Sequence, residues 1–474
     1  MVINILLDIS DKFLRETLYT VKNVLFPYEN KFVVTDKIDE CHDAKYTIIY
    51  CHENSFSLAD EKMRQNAIYI IQENKTLDFF ARFATYDIKD VAYINDIPCI
   101  FPLNNKEMKG NPTNIFPFDI IAASFFFLSC WQEYSITDRD RKCRIPLKST
   151  IQHDLRIIQT PIVNEYLKIL ERYILLCWGE ELSYKKLPGG ASSHVALTHD
   201  ADHVNCSFMH YAKSLFSNKR NLDKSISNRV SIVKNIWTKK EIFRKIRDVE
   251  LKNNAFSTFY FLSDYPEKFK TLAASIVKSL ENTPFEVGHH VSHTSIYENS
   301  LSKDRTQFEQ IVKDFHGERV HTFRFNVHKL FTLLDKNHYC YDSSLLFPED
   351  LGYRTGFTYP HYIFDPIAKR TFKTLEIPLN IMEGSLTEER FLGLTDREAE
   401  DFLFSFIKKA ISYGGVLTLL YHPHYFWINT RFRFEMYDKI LRFFNDAGIK
   451  MGTCREIYFW RSNETLNNSD IRIV

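Results

Sequence analysis

A chain of 474 residues with 45% hydrophobic and 26% charged residues has ordinary globular composition, and 14 Gly against 40 Phe excludes collagen-like and low-complexity chains. Lys and Arg number 61 against 60 Asp and Glu, so a net charge of +1 gives no global pull towards nucleic acid or an anionic membrane. Nine scattered cysteines without a CxxC spacing exclude a thiolate zinc site and a disulfide framework, and suit a reducing compartment.

The N-terminal MVINILLDISDKFLRE has no basic region ahead of its apolar run, so no signal peptide is read. The longest apolar run, Ile120 to Trp131, falls short of the about 20 residues a bilayer helix needs. A cytoplasmic protein without a transmembrane segment is the expectation. The first part of the chain holds short β-like runs, YTIIYC at 46–51 and AIYII at 67–71, and then two helical segments. The second segment takes Thr160 as N-cap and Pro161 as its first helical residue, with Ile162, Val163, Tyr166, Leu167, Leu170, Tyr173 and Ile174 on one stripe. LPGGASS at 187–193 reads as a turn and sets a boundary between 1–187, a smaller α/β domain, and 188–474.

Beyond it, VALT (195–198), STFYFL (257–262), HTFRF (321–325) and VLTLLYH (416–422) are nearly continuous in apolar residues, as strands buried on both faces are. Polar residues just past such strands should converge, because the loops at that end of a parallel sheet or barrel meet. Residues 213–252 carry twelve Lys/Arg against four Asp/Glu, with Ile226, Val230, Val233 and Trp237 at helical spacing. This basic helical insertion, at about 205–252, reads as a solvated face, with a docking surface for an anionic glycan or headgroup as the sharper alternative.

VALT is followed by His199, Asp200, Ala201 and Asp202, where one carboxylate can hold a metal while the other stays free as a base. EVGHHVSHTS at 286–295 holds His289, His290 and His293, and spacings of three or four put two rings on one side of a helical turn. Arg319, His321 and Arg324 surround the HTFRF run, and a buried Arg there would hold a carboxylate ionised. YDSS (341–344) and EIP (376–378) follow, and VLTLLYH ends in His422, whose ordinary pKa of about 6.5 suits a proton donor to a leaving amine.

Taken in order, these pieces resemble the polysaccharide deacetylase family (NodB-homology, carbohydrate esterase 4-like) over roughly residues 190–460. The resemblance implies an α/β fold, a deformed (β/α) barrel of the NodB-homology type, here preceded by the smaller N-terminal domain. It implies a divalent metal, zinc by expectation, held by one Asp and two His. Asp200 becomes the general base, Asp202 a metal ligand, His422 of Leu420-Tyr421-His422 the general acid, and Asp342 of YDSS the group that orients His422. The arginine motif falls at Arg324, with Arg324 or Arg319 steering Asp200. Aligned on Gly288, His290 takes the place of the first histidine ligand; Thr294 stands four residues on, so the expected pair is His290 with His293, while His289 with His293 has the family's usual spacing. FPFDIIAASFFFLSCWQEY in the first part is similar to an uncharacterised domain that precedes such deacetylase domains in bacterial proteins. The implied activity is removal of N-acetyl (or O-acetyl) groups from a carbohydrate, an N-acetylated glycan or its precursor. Asp-Ala-Asp in place of Asp-Asp, together with the histidine spacing, keeps two other readings open: a metal-dependent amidase acting on a small non-sugar amide, and a catalytically inactive carbohydrate-binding or polysaccharide-assembly protein.

Overall fold

The computed structural model describes the chain except residues 42–43, 54–66, 82–87, 89, 105–113, 205–240, 428–429, 467–470 and 474. Most of the basic insertion, including Ile226 to Trp237, lies outside the described residues. Its C-terminal end is the helix Glu241–Lys252, anchored through buried Ile242, Phe243 and Ile246.

The β-branched runs of the first part form β1 (Val2–Asp8), β2 (Lys31–Thr35), β3 (Thr47–His52) and β4 (Ala67–Gln72), all parallel, in the order β2-β1-β3-β4. Every residue of β4 is buried, as a strand covered on both faces should be. A hairpin of β5 (Val91–Ile94) and β6 (Ile97–Ile100) follows. The long apolar run becomes the helix Ile120–Leu128, buried throughout, whose N-cap Asp119 accepts a hydrogen bond from Ala122 N at 2.9 Å. The helix Ile162–Trp178 starts later than its Thr160 signal. Pro161 takes the cap position without a side-chain bond, and Thr160 Oγ1 instead accepts from Lys409 Nζ at 3.1 Å. The helix ends at Gly179, whose φ of 69° lies in the left-handed region that glycine adopts without strain.

The remaining strands are β7 (Ser193–Asp200), β8 (Thr258–Leu262), β9 (Glu286–Val291), β10 (Gly317–Val320), β11 (Tyr341–Asp342), β12 (His361–Asp365), β13 (Arg370–Glu376), β14 (Ile381–Met382), β15 (Gly415–Leu420) and β16 (Lys450–Gly452). They make one ten-stranded sheet in the order β12-β13-β11-β10-β9-β8-β7-β15-β14, with β16 also on β7; only β12 and β13 pair antiparallel. β7 is split along its length: β16 pairs its first half at His194–Ala196, and β8 pairs its end at Thr198–Asp200. The sheet therefore splays beside the C-terminal end of β7 and curls into a half-barrel. Among the described residues β12 and β14 do not pair to close it.

HTFRF is not a strand. The strand is GERV just upstream, β10, and residues 321–323 form a single 3-10 turn in which Thr322 (φ 63°) and Phe323 (φ 55°) are left-handed. This shift puts Arg319 inside the strand and His321 immediately past its end. A last strand, β17 (Ile471–Ile473), runs back to pair parallel with β2. The hydrophobic cluster around the first sheet also takes in Tyr341, Phe364, Ile377 and Val416 of the second. Among the described residues, no helix is long and apolar enough to cross a membrane.

Candidate metal and catalytic site

β7 is buried along its whole length and delivers Asp200 at its end, with Asp202 in the turn beyond. Asp200 Oδ1 accepts from Arg319 Nη1 at 3.0 Å. Arg319 comes from β10 and is fully buried. It also donates to Thr198 Oγ1 at 2.7 Å, Ser343 O at 2.7 Å and Ser343 Oγ at 3.0 Å, and sits 4.5 Å from the Tyr260 ring centre. A guanidinium satisfied on all these sides is rigid, so it fixes the orientation of the Asp200 carboxylate.

Asp202 is the centre of the polar cluster. His290 Nε2 lies 3.0 Å from its Oδ1, and His321 Nε2 and His422 Nε2 each lie 3.8 Å from its Oδ2. Asp202, His290 and His321 offer one ligand atom each within 4.8 Å of one another. The donor chemistry fits a divalent cation. Burial alone would raise the Asp202 carboxyl, but the His290 hydrogen bond and the neighbouring His422 and His321 hold it well below the usual range, hence ionised. Burial and the proximity of His290 push His321 down to about 4, leaving it neutral, the form that binds metal. Burial disfavours a charge on His290, but Asp200 and Asp202 outweigh it and raise its pKa. His290 Nδ1 donates to Arg319 O at 2.9 Å, which turns Nε2 into the cluster as an outer-sphere partner does in metal sites.

His422 stands two residues past the end of β15. Its Nδ1 donates to Glu383 Oε1 at 2.9 Å, and Glu383 is itself buried at the end of β14. Burial works against the imidazolium, but the Glu383 carboxylate prevails, with help from Asp202 and Asp200, and raises the His422 pKa to about 10. At neutral pH His422 is a proton donor with Nε2 aimed at the cluster. Asp200, Asp202, His290, His321 and His422 line one cavity of about 210 Å3.

The structure departs from the expected assignments in four places. His293 is outside the cluster: it opens the short helix His293–Tyr297, and its Nε2 meets Arg324 Nη1 at 2.9 Å. The chain turns into that helix directly after β9, so the ring swings away, and His321 on the neighbouring strand's end fills the place. Arg324 is thereby occupied by His293, and the arginine on Asp200 is Arg319. His289 points to the opposite face from His290, as alternate residues of a strand must, and stacks on Phe308 with ring centres 4.3 Å apart. Asp342 does not touch His422. It lies fully buried between Glu318 of β10 and Glu376 of β13 in the strand register, and accepts from Ser344 N at 3.0 Å. Burial, and then the adjacent Asp342, raise both glutamates well above the usual carboxyl range. The carboxylate that meets His422 is Glu383 in place of Asp342; its signal was its place at a strand end, in a strand of two residues too short to register as a run.

The profile of a family of unknown function (DUF7033) matches residues 5–179. No curated protein sequence matches the chain. Among solved structures, the chain is similar to a Mycobacterium smegmatis protein assigned as a polysaccharide deacetylase, with 16% identity and a TM-score of 0.41 over 59% of this chain and 94% of that one. It is similar to a Pseudomonas aeruginosa PAO1 protein with the same assignment, with 11% identity and a TM-score of 0.40 over 58% and 93%. It is also similar to a Puue allantoinase, with 9% identity and a TM-score of 0.41 over 59% and 93%. At these identities and TM-scores, what the site does is read from this chain's own residues.

Proposed function

We propose that the chain is a metal-dependent hydrolase of the polysaccharide deacetylase type that removes N-acetyl (or O-acetyl) groups from a carbohydrate. The observation that carries this reading is the approach of His290, His321 and His422 to one carboxylate, Asp202, beside an Asp200 locked by Arg319. Asp202, His290 and His321 would hold the metal, which when bound polarises an acyl carbonyl and acidifies a water. Asp200 has Oδ1 engaged by Arg319, and its Oδ2, 3.7 Å from His290 Nε2, would accept the proton of the attacking water. His422, charged and pinned by Glu383, hands its Nε2 proton to the departing nitrogen, and the products are acetate and a free amine. The division at 187–188 belongs to the same proposal, with the reactive groups all on the C-terminal side.

The test is metal analysis of the purified protein together with acetate release from acetylated chito-oligosaccharides and ring-opening hydrolysis of small cyclic amides. About one divalent ion per chain, acetate from the glycans, and loss of turnover with intact metal content in His422→Ala are expected. Turnover of the cyclic amide alone favours the small-amide reading, and a protein with neither metal nor turnover defeats both.

A further inference from the structure

The mouth of the cavity is built partly by the segment of the chain matched to the uncharacterised family. Lys142 and Arg144 reach it from that segment, and Arg390 from the loop after the helix Glu383–Thr387. Two of these three cations are already neutralised. Arg144 Nε and Nη2 bond Asp140 Oδ2 at 2.7 and 2.6 Å, and Arg390 Nε bonds Glu388 Oε2 at 2.5 Å. The Phe391 ring lies between their attachments, 5.9 Å from Arg144 Cζ and 4.7 Å from Arg390 Cζ. Lys142 is different: it is half-buried and forms no ion pair with any described carboxylate. Deeper in the cavity the negative groups are already taken, Asp200 by Arg319 and Asp202 by His290. The rim thus carries one cation more than its carboxylates, and an ammonium in a cleft with low-dielectric walls, pulled by Glu388 and Asp140 only from beyond ion-pair contact, favours an anionic visitor.

We propose, resting on the deacetylase reading above, that the substrate carries an anionic group, a carboxylate or a phosphate, on or next to the acylated sugar, and that Lys142 binds it at the cavity mouth. Burial and the nearby Arg390 and Arg144 guanidiniums push the Lys142 ammonium below its ordinary pKa, outweighing the pull of Glu388 and Asp140. A neutral chitin-like chain would leave that charge unmatched. A uronic acid or a phosphate-bearing precursor would satisfy it while the acyl group reaches Asp200 and His422. Lys142 is in this account a substrate-binding residue and takes no part in proton transfer.

The experiment is calorimetric binding of three probes to the metal-loaded protein: N-acetylglucosamine, its 6-phosphate, and N-acetylglucosaminuronate, each with the parent and with Lys142→Gln. At least one of the two anionic probes should bind about tenfold or more tighter than the neutral sugar, and the ratio should fall towards one in the variant. Raising salt from about 0.05 to 0.5 M should weaken only the anionic probes. A preference for one anion over the other assigns the source of the charge, and equal binding assigns the shared chemistry; both support the proposal. An anionic-to-neutral ratio near one in the parent, or a ratio untouched by Lys142→Gln, overturns it. The two readings fail separately. Tight, Lys142-dependent binding without acetate release from any sugar sinks the deacetylase and leaves the anion site standing. Acetate release with a ratio near one does the reverse.

Discussion

Glu383 Oε1 and His422 Nδ1 are 2.9 Å apart, and the same oxygen accepts the His422 backbone N–H, so one buried carboxylate fixes both the ring and the chain that bears it. The other ring nitrogen is thereby committed to the cavity. Glu383 stands outside the Asp202, His290 and His321 group, so in the proposed reaction the acid and the metal are separable by mutation.

Glu383→Gln should return the His422 pKa from about 10 towards its ordinary value. A histidine whose folded pKa is raised stabilises the fold fully below its unfolded pKa of about 6.5 and loses that contribution as pH rises through the folded value. The variant should therefore be less stable than the parent at neutral pH, with the gap closing as pH passes about 10. Thermal midpoints against pH and the His422 ring titration by NMR check this, and acetate release should fall about 100-fold or more. An unmoved ring titration would contradict it.

Removing one first-sphere imidazole should weaken metal binding by more than the roughly 10–100-fold typical of an outer-sphere partner. His321→Ala is expected to do so, and His293→Ala to keep the parent's metal stoichiometry. Competition with a chelator separates the two, and the opposite ranking would restore His293 as the ligand.

Arg319→Ala strips a buried carboxylate of its counter-charge and leaves Ser343 and Thr198 without their donor. The cost should be about 3–5 kcal/mol, measured by urea unfolding. A loss below about 1 kcal/mol would mean that the Asp200–Arg319 pair does not hold the fold together.

Glu318 and Glu376 flank Asp342 on neighbouring strands, where like charges side by side are destabilising. Their raised pKa values mean that the stabilising form is the protonated one, fully present below the unfolded pKa of about 4.3 and lost as pH rises through the folded value. Glu318→Gln fixes the neutral form. It should match the parent at low pH and gain on it as pH rises, read as thermal midpoints from acid to alkaline pH. A variant less stable than the parent at alkaline pH would refute the protonated row.

β7, β8 and β15 were legible because strands covered on both faces need no polar alternation, and their apolar runs stand out against the loops. Asp200, Asp202 and His422 stood out by the same rule, as polar residues at strand ends, whereas His290 stood out only through the histidine cluster and the family resemblance. The register of HTFRF was not: Phe323 and Phe325 lend a strand-like texture to a turn held in left-handed backbone, and that concealed His321 as a strand-end residue. Glu383 was missed because β14 contributes only two residues, and Lys142 because nothing in a loop remote along the chain marks it as facing the cavity.

The pairing of β17 with β2 has a consequence for biosynthesis. While the ribosome is still making the second sheet, the outer rim of β2 stays bare, its amides and carbonyls open to any extended peptide nearby. The first sheet is sealed on this side only by residues translated after the whole second sheet, so a nascent chain halted before Ile471 should be sticky through β2, whatever the condition of its cavity.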